Sequence, residues 1–390
     1  MQTLKFSTII FFFLLLGTTA RSQGFSFDNK SDSSVHAVRI NILVGVSQGV
    51  SEMELGGLIN VDRKNVQYLQ MAGFGNIVGG DVKGCQLAGF FNTDMGAMNG
   101  IQGAGFGNYT GKDFSGLQGA GFFNHCANMK GIQGAGFSNY ARDMNGIQAA
   151  GFGNYAKSIY GIQASGFVNV VDSSTKGIQA AGFINYSKTV DGIQAAGFIN
   201  CAKTVVKGLQ VAPFNVADSS NGIPIGVISY VRKGGYHKIE ISADEMFYAN
   251  VAIRTGVKQL YNILTVGIRP TNAANPFWTY GYGLGTAFTV SKRIDMNIDV
   301  TSNHISYAGY RPHNYNSDDY KIYVGADFHI SDKLSIAAGP TLNFYSISRY
   351  NTDLVNAFNG IPLIYLYDQT NGSFRDLKVW VGGKIAVRFF

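Results

Sequence analysis

Proline is scarce in this chain, 7 among 390 residues, and cysteine scarcer, with three; only 14% of the residues are charged and two are tryptophan. So few prolines beside 50 glycines exclude a collagen-like chain and disfavour a helical bundle. The odd, widely spaced cysteines, Cys85, Cys126 and Cys201, make no disulfide framework. Past the N-terminus no apolar run approaches the ~20 residues that a membrane-spanning helix needs. Charge is thin and dispersed rather than clustered, so nothing points to nucleic acid. Strands and turns should therefore dominate.

What is present starts with a leader. Lys5, the apolar stretch Phe6 to Gly17, and Ala20-Arg21-Ser22 ahead of Gln23 read as a secretory signal over residues 1–22, with a linker over 23–37. Losing Lys5 and Arg21 takes the formal charge from +7 to +5. No cysteine lies near the cleavage point, which argues against a lipid-anchored N-terminus. Export of a chain without a spanning helix leaves strands as its route into a membrane.

The first half is one unit repeated: GLQGAGFFN from Gly116, GIQGAGFSN from Gly131, GIQAAGFGN from Gly146, GIQASGFVN from Gly161, GIQAAGFIN from Gly192. The period is 15 or 16, and each glutamine from Gln70 to Gln194 is followed six residues later by asparagine. A short fixed period is the mark of a solenoid, whose units bury a core only by stacking. The spacing predicts a parallel β-roll over residues 38–233, about eleven coils and roughly 50 Å long at ~4.8 Å per coil. Ile162 and Phe167 are five apart, so an unbroken strand would point them to opposite faces; a bend at Ala164–Gly166 is expected to turn both inward. Stacked glutamines and asparagines should form amide ladders. Pro213 and Pro224 are expected to end the rod by removing backbone donors, near Val231.

From residue 236 to 390 the pattern changes to long strands of strict alternation. Ile294, Met296, Ile298 and Val300 share one face and Asp295, Asn297 and Asp299 the other. Eight such strands, starting near Lys238, Phe247, Leu260, Phe277, Ile294, Tyr320, Leu334 and Leu377, close a small antiparallel barrel. A soluble barrel with its apolar face inward would alternate equally well. Gly281, Gly283, Gly285, Gly325 and Gly339 all fall on the polar face, which suits a crowded interior. Tight links near Lys258, Lys292 and Asp332 alternate with long ones at 271–276, 307–319 and 349–376, the outer-membrane pattern. With an even strand count and periplasmic turns, the rod should hang in the periplasm; the short link Ala243–Met246 fits this scheme least.

The G-[IL]-Q-x-[AG]-x-F-x-N unit, over roughly Gly56 to Tyr230, resembles the repeats of surface-repeat-containing envelope proteins of Bacteroidetes and spirochaetes, a largely uncharacterised family. The resemblance implies an envelope location more than an activity. A looser likeness, of architecture alone, is to the β-roll heads of trimeric adhesins.

Chemistry is sparse. The glycine strings at Gly103 and Gly281 recur as strand pattern and open no helix, so they do not read as phosphate loops. The six histidines have no metal-ligand spacing, and no cofactor is implied. His125 takes the coil position of Tyr140 and Tyr155. The cysteines read as small hydrophobes. The polar barrel face carries Lys238, Glu240, Arg254, Arg269, Asp295, Asp299, Lys321, Asp327, Lys384 and Arg388, mixed signs expected to pair and plug the barrel. Tyr307, Tyr310, Tyr315, Asp318 and Asp319, in a long loop, are the candidate partner contacts. The expected function is non-enzymatic: a barrel anchored in outer-membrane lipid, and a solenoid that binds an envelope protein or its own copies. The alternative is a surface receptor or adhesin working through its loops.

Overall fold

The computed structural model describes residues 35–270, 276–307, 317–348, 364–369 and 375–390. The export signal and the linker up to residue 34 lie outside the described residues. The protein is all-β: a parallel solenoid of about thirteen turns, then a closed antiparallel barrel of eight strands. It divides into two compact units, residues 1–188 and 189–390. The division falls within the strand Ile184–Ala196, inside the solenoid, and not at the start of the barrel.

The expected eleven coils are about thirteen because the first turns lack the motif. The first strand opens at Val35, and Arg39 and then Glu54 stand in register where Gln70 stands in the next turn. Further along, Gln133, Gln148 and Gln163 stack in register, as do Asn139, Asn154 and Asn169. Both columns are buried. Gln148 Nε2 donates to Gln133 Oε1 at 2.8 Å and Gln163 Nε2 to Gln148 Oε1 at 2.9 Å. Asn154 Nδ2 donates to Asn169 Oδ1 at 2.9 Å and to the Ala164 carbonyl at 2.6 Å. A primary amide has a donor and an acceptor, so identical neighbours one turn above and below satisfy it, and its burial costs little.

The apolar rows lie the other way round from the expectation. Ile162 and Phe167 do not face the interior; they are 39% and 42% exposed. The corner at Gly166–Phe167 takes two residues out of the alternation, so Gln163 and Asn169 flank it pointing inward and Phe167 is left on the outside of the bend. The inside is filled by Val66, Val82, Met98, Phe114, Met129, Met144 and Ile159, one from each successive turn, and by small residues such as Ala141 and Ala156.

A glycine column fixes the coil spacing. Gly146 and Gly161 have φ of +136° and +139°, and a Cβ on either would fall on the carbonyl oxygen of the glycine one turn before. Only a residue without Cβ allows both the backbone angle and the approach.

The barrel strands are Tyr236–Asp244, Ala249–Val257, Leu260–Arg269, Phe277–Ser291, Ile294–Tyr307, Ser317–Ser331, Leu334–Ser348 and Arg375–Phe389. Each pairs antiparallel with the next, and the last pairs with the first over Ile239–Phe389 to Asp244–Lys384, which closes the ring. A short strand, Ile364–Gln369, extends the wall beside Leu377–Val381, beyond the end of the first strand. The links at 258–259, 292–293 and 332–333 are two residues each and share one end of the barrel with Tyr236 and Phe389. The doubtful link after Asp244 is a genuine turn: Asp244 Oδ1 accepts from the Met246 and Phe247 amides at 2.9 and 2.7 Å.

Candidate functional site

The barrel is polar inside and apolar outside, the reverse of a soluble barrel. Ile239, Ile241, Val251, Ile253, Val266, Trp278, Tyr280, Val300, Tyr320, Phe328, Ile385 and Phe389 are all exposed on the outer wall. Alternate residues on the same strands face inward and are buried, many of them charged.

Those charges form a connected group. Arg254 meets Asp299 through both terminal nitrogens, at 3.0 and 2.8 Å, and reaches Glu240 at 2.8 Å. Glu240 also accepts from Lys384 and Arg388, both at 2.7 Å, and Arg388 continues to Asp327 at 3.1 Å. Lys238 closes on Asp327 at 2.6 Å. Four cations thus meet three carboxylates, with Tyr261 donating to Asp299 at 2.6 Å and Asn297 bonded to Arg388 at 3.0 Å. Each charge is held by opposite charge and by hydrogen bonds, the condition under which ions are tolerated away from water. A pocket of about 40 Å³ lies among Glu240, Arg254, Asp299 and Lys384. That volume holds a few waters.

Two other expected interior residues lie at the barrel ends. Asp295, near the tight turns, takes Lys258 at 3.0 Å and His329 at 3.1 Å. Lys321, toward the other end, pairs with Asp244 at 2.6 Å. Arg269 donates to the Met246 carbonyl and lies 4.9 Å over the Tyr248 ring. The sequence reading missed Asp244, Glu245, Lys258 and His329. Glu245 folds in from the short turn to accept from Trp380 Nε1 at 3.0 Å and Asn343 at 2.8 Å. A turn residue carries no alternation signal, so nothing in the sequence marks it as inward.

The loop carboxylates need correction. Asp318 and Asp319 lie in the strand Ser317–Ser331, not in a loop. Asp319 is buried inside the barrel beside Lys321, and Asp318 bonds His304 Nδ1 at 3.0 Å. Asp319 therefore offers no surface to a partner. Tyr307 ends the strand Ile294–Tyr307, while Tyr310 and Tyr315 lie outside the described residues.

Within residues 189–390 the last solenoid turn is seated on the outer barrel wall. The asparagine column runs from Asn200 to Asn215 at 3.1 Å and on to Ser229 Oγ at 3.4 Å, which then accepts from Asn262 of the barrel at 3.0 Å. Ser229 N donates to Thr255 Oγ1 at 3.1 Å, and Tyr282 OH donates to the Gly226 carbonyl at 2.8 Å. Val257 of the barrel packs with Val205, Ala217 and Val231 of the solenoid. The prolines act differently from expectation. Pro213 still accepts Val227 and Ile228 amides, so a further turn follows it. Pro224 pairs with Gln210 and has no amide side chain, so the glutamine ladder stops there with Gln210 Oε1 unpartnered.

At the opposite end the interior holds acids. Burial, helped by the adjacent Asp62 carboxyl, pushes Glu54 up to about 9, and burial raises Asp62 as well. Asp94 bridges two ladder rungs, accepting from Gln86 at 2.8 Å and Gln102 at 2.7 Å, and burial pushes it up to about 7. The three cysteines are free, and burial pushes the Cys126 thiol up to about 12, that of an inert core residue. His125 stacks between Tyr109 and Tyr140 at 4.8 and 4.6 Å, in the column the motif assigned to it. Among the described residues no group of three or more His, Cys, Asp or Glu is placed to hold a metal ion. No family model, curated protein or solved structure matches the chain.

Proposed function

We propose that the protein is a non-enzymatic component of the bacterial outer membrane, its barrel an anchor in lipid and its solenoid a scaffold rod in the periplasm. The observation that carries this reading is the inverted barrel: an apolar outer wall around a closed set of paired charges, stable where hydrocarbon and not water surrounds the wall. The leader-like N-terminus and the resemblance of the repeat to envelope surface-repeat proteins agree with it. The links support the periplasmic side. Two-residue turns and both barrel ends share one rim, and in outer-membrane barrels the short turns are periplasmic.

The test is extraction and shaving. Detergent extracts of outer membranes should contain a band that runs faster unboiled than boiled, and protease on intact cells should cut the long connections at 308–316 or 349–363 while leaving the solenoid whole. A C-terminal half that is soluble without detergent overturns the anchor. Solenoid fragments released from intact cells overturn the topology and favour the surface-receptor alternative.

A further inference from the structure

The most unusual surface of the molecule is the outside of the solenoid corner. In residues 35–188 the rings from Phe74 to Phe183 stack in one column, with centroids 4.7–5.1 Å apart and planes within 14° of parallel. Each ring is 37–43% exposed. In the strand before each corner, immediately ahead of the ladder glutamine, Ile101, Leu117, Ile132, Ile147, Ile162 and Ile178 form a second column, 39–49% exposed. Together they make a stripe on the order of 1,000 Å², above the ~300–600 Å² of the largest patch on an ordinary monomer.

The stripe is free of charge. Eight consecutive nonapeptides, from Gly84–Asn92 to Gly192–Asn200, contain no Asp, Glu, Lys, Arg or His. The charges sit in the return stretches between them, at residues such as Arg142, Lys157 and Lys188, all exposed. The coil is therefore amphipathic in cross-section, as an interfacial helix is.

We propose that this stripe lies on a lipid leaflet, with the phenylalanine column dipping into the acyl boundary and the charged return stretches facing water. The proposal rests on the membrane reading of the barrel. Three observations favour lipid over a protein partner. A protein interface carries about one hydrogen bond per 100–200 Å² to fix its register, and the exposed side chains of the two columns are hydrocarbon alone. The stripe repeats from turn to turn as phenylalanine with isoleucine or leucine, which suits an occupant uniform along its length. And within residues 189–390 the phenylalanine position passes from Phe198 through Pro213 to Val227, still 43% exposed, beside the Gly226 carbonyl that Tyr282 of the apolar outer wall engages. Whatever solvates the barrel wall at Tyr282 also reaches Val227, the phenylalanine position of the last turn.

The full chain supplies its own control for the test. Trp278 is exposed on the outer wall and Trp380 is buried against Glu245. The wild type, Phe137→Trp and Lys157→Trp would each be reconstituted in vesicles of phospholipid brominated along the acyl chains, and emission compared with unbrominated vesicles. Rings ~5–10 Å into the boundary are within reach of the bromines, so roughly half of the emission added by Phe137→Trp should be lost, and little of that added by Lys157→Trp. Ile147→Trp, on the second column, should behave as Phe137→Trp and serves if that variant fails to fold. Bright emission at 137 and 147 with Trp278 quenched overturns the leaflet proposal and spares the barrel; if crosslinking then captures face-to-face dimers, the stripe belongs to a second copy. Trp278 left bright in the wild type overturns the barrel reading, and the leaflet proposal with it.

Discussion

Asp94 is a carboxyl in a column that elsewhere holds Val78, Cys126 or Ala141, and it accepts from the amides of two glutamines. Burial raises it from 3.8 to about 7. The folded state thus holds its proton more tightly than the unfolded chain, so Asp94 favours folding most below pH ~4, and that contribution is lost as pH climbs from ~4 to ~7, on the order of a few kcal/mol. Glu54 and Asp62 act in the same sense, Glu54 over a window reaching to about 9. Asp94→Asn removes the titration at nearly the same shape. The variant should gain on the wild type in denaturant midpoint as pH rises from 5 to 8; a gap that stays constant over this range would show that Asp94 is not the titrating group. The sequence reveals the period in which these acids sit, but their burial depends on which side of the strand faces in. In the apolar rows the side facing in is the reverse of what residue type suggests, because isoleucine and phenylalanine are the usual core residues and glutamine is not. The ladder reverses the preference by giving every buried amide a partner.

For the strand and the coil, the glycines separate into two kinds that composition alone treats alike. Gly146 has φ +136° and abuts the Gly131 carbonyl, whereas Gly134 has nothing within 4 Å of where its Cβ would be. Gly134 pairs with Ala149, and Ala149 with Ala164, so that column already accepts a methyl group. Gly134→Ala should leave the thermal unfolding of the solenoid within ~0.5 kcal/mol of wild type, as surface changes do. Gly146→Ala should cost several times more, since a left-handed angle and a backbone collision are imposed together. Equal melting of the two variants would refute the close approach between turns. The barrel strands were legible almost residue by residue, because two-residue alternation survives without knowledge of neighbours. Strand ends and turn residues were not: Asp319 was assigned to a loop, and Glu245 and Lys258, which pair with inward groups, were missed.

For the molecule as a whole, the plugged interior carries its own expectation. With about 40 Å³ of free space among Glu240, Arg254, Asp299 and Lys384, the barrel should show no steady ion current in a planar bilayer. Ohmic conductance at the level of a water-filled pore would mean that the charge network opens, and would replace an anchor with a channel. Arg254→Ala is the informative variant, because it leaves Glu240 and Asp299 short of the partner they share.

The sequence by itself determined the class of fold, the period of the solenoid, the eight barrel strands and the inward charges that lie within strands such as Glu240, Arg254, Asp299 and Arg388, since each is written in local alternation or in a motif that repeats. Tertiary structure alone decided which rows of the coil are inside, because a glutamine is a good core residue only when identical glutamines lie above and below it. It also decided how the rod ends. Pro224 stops one ladder for want of an amide, while the other passes through Ser229 to Asn262, a contact between residues 33 apart that no local pattern encodes.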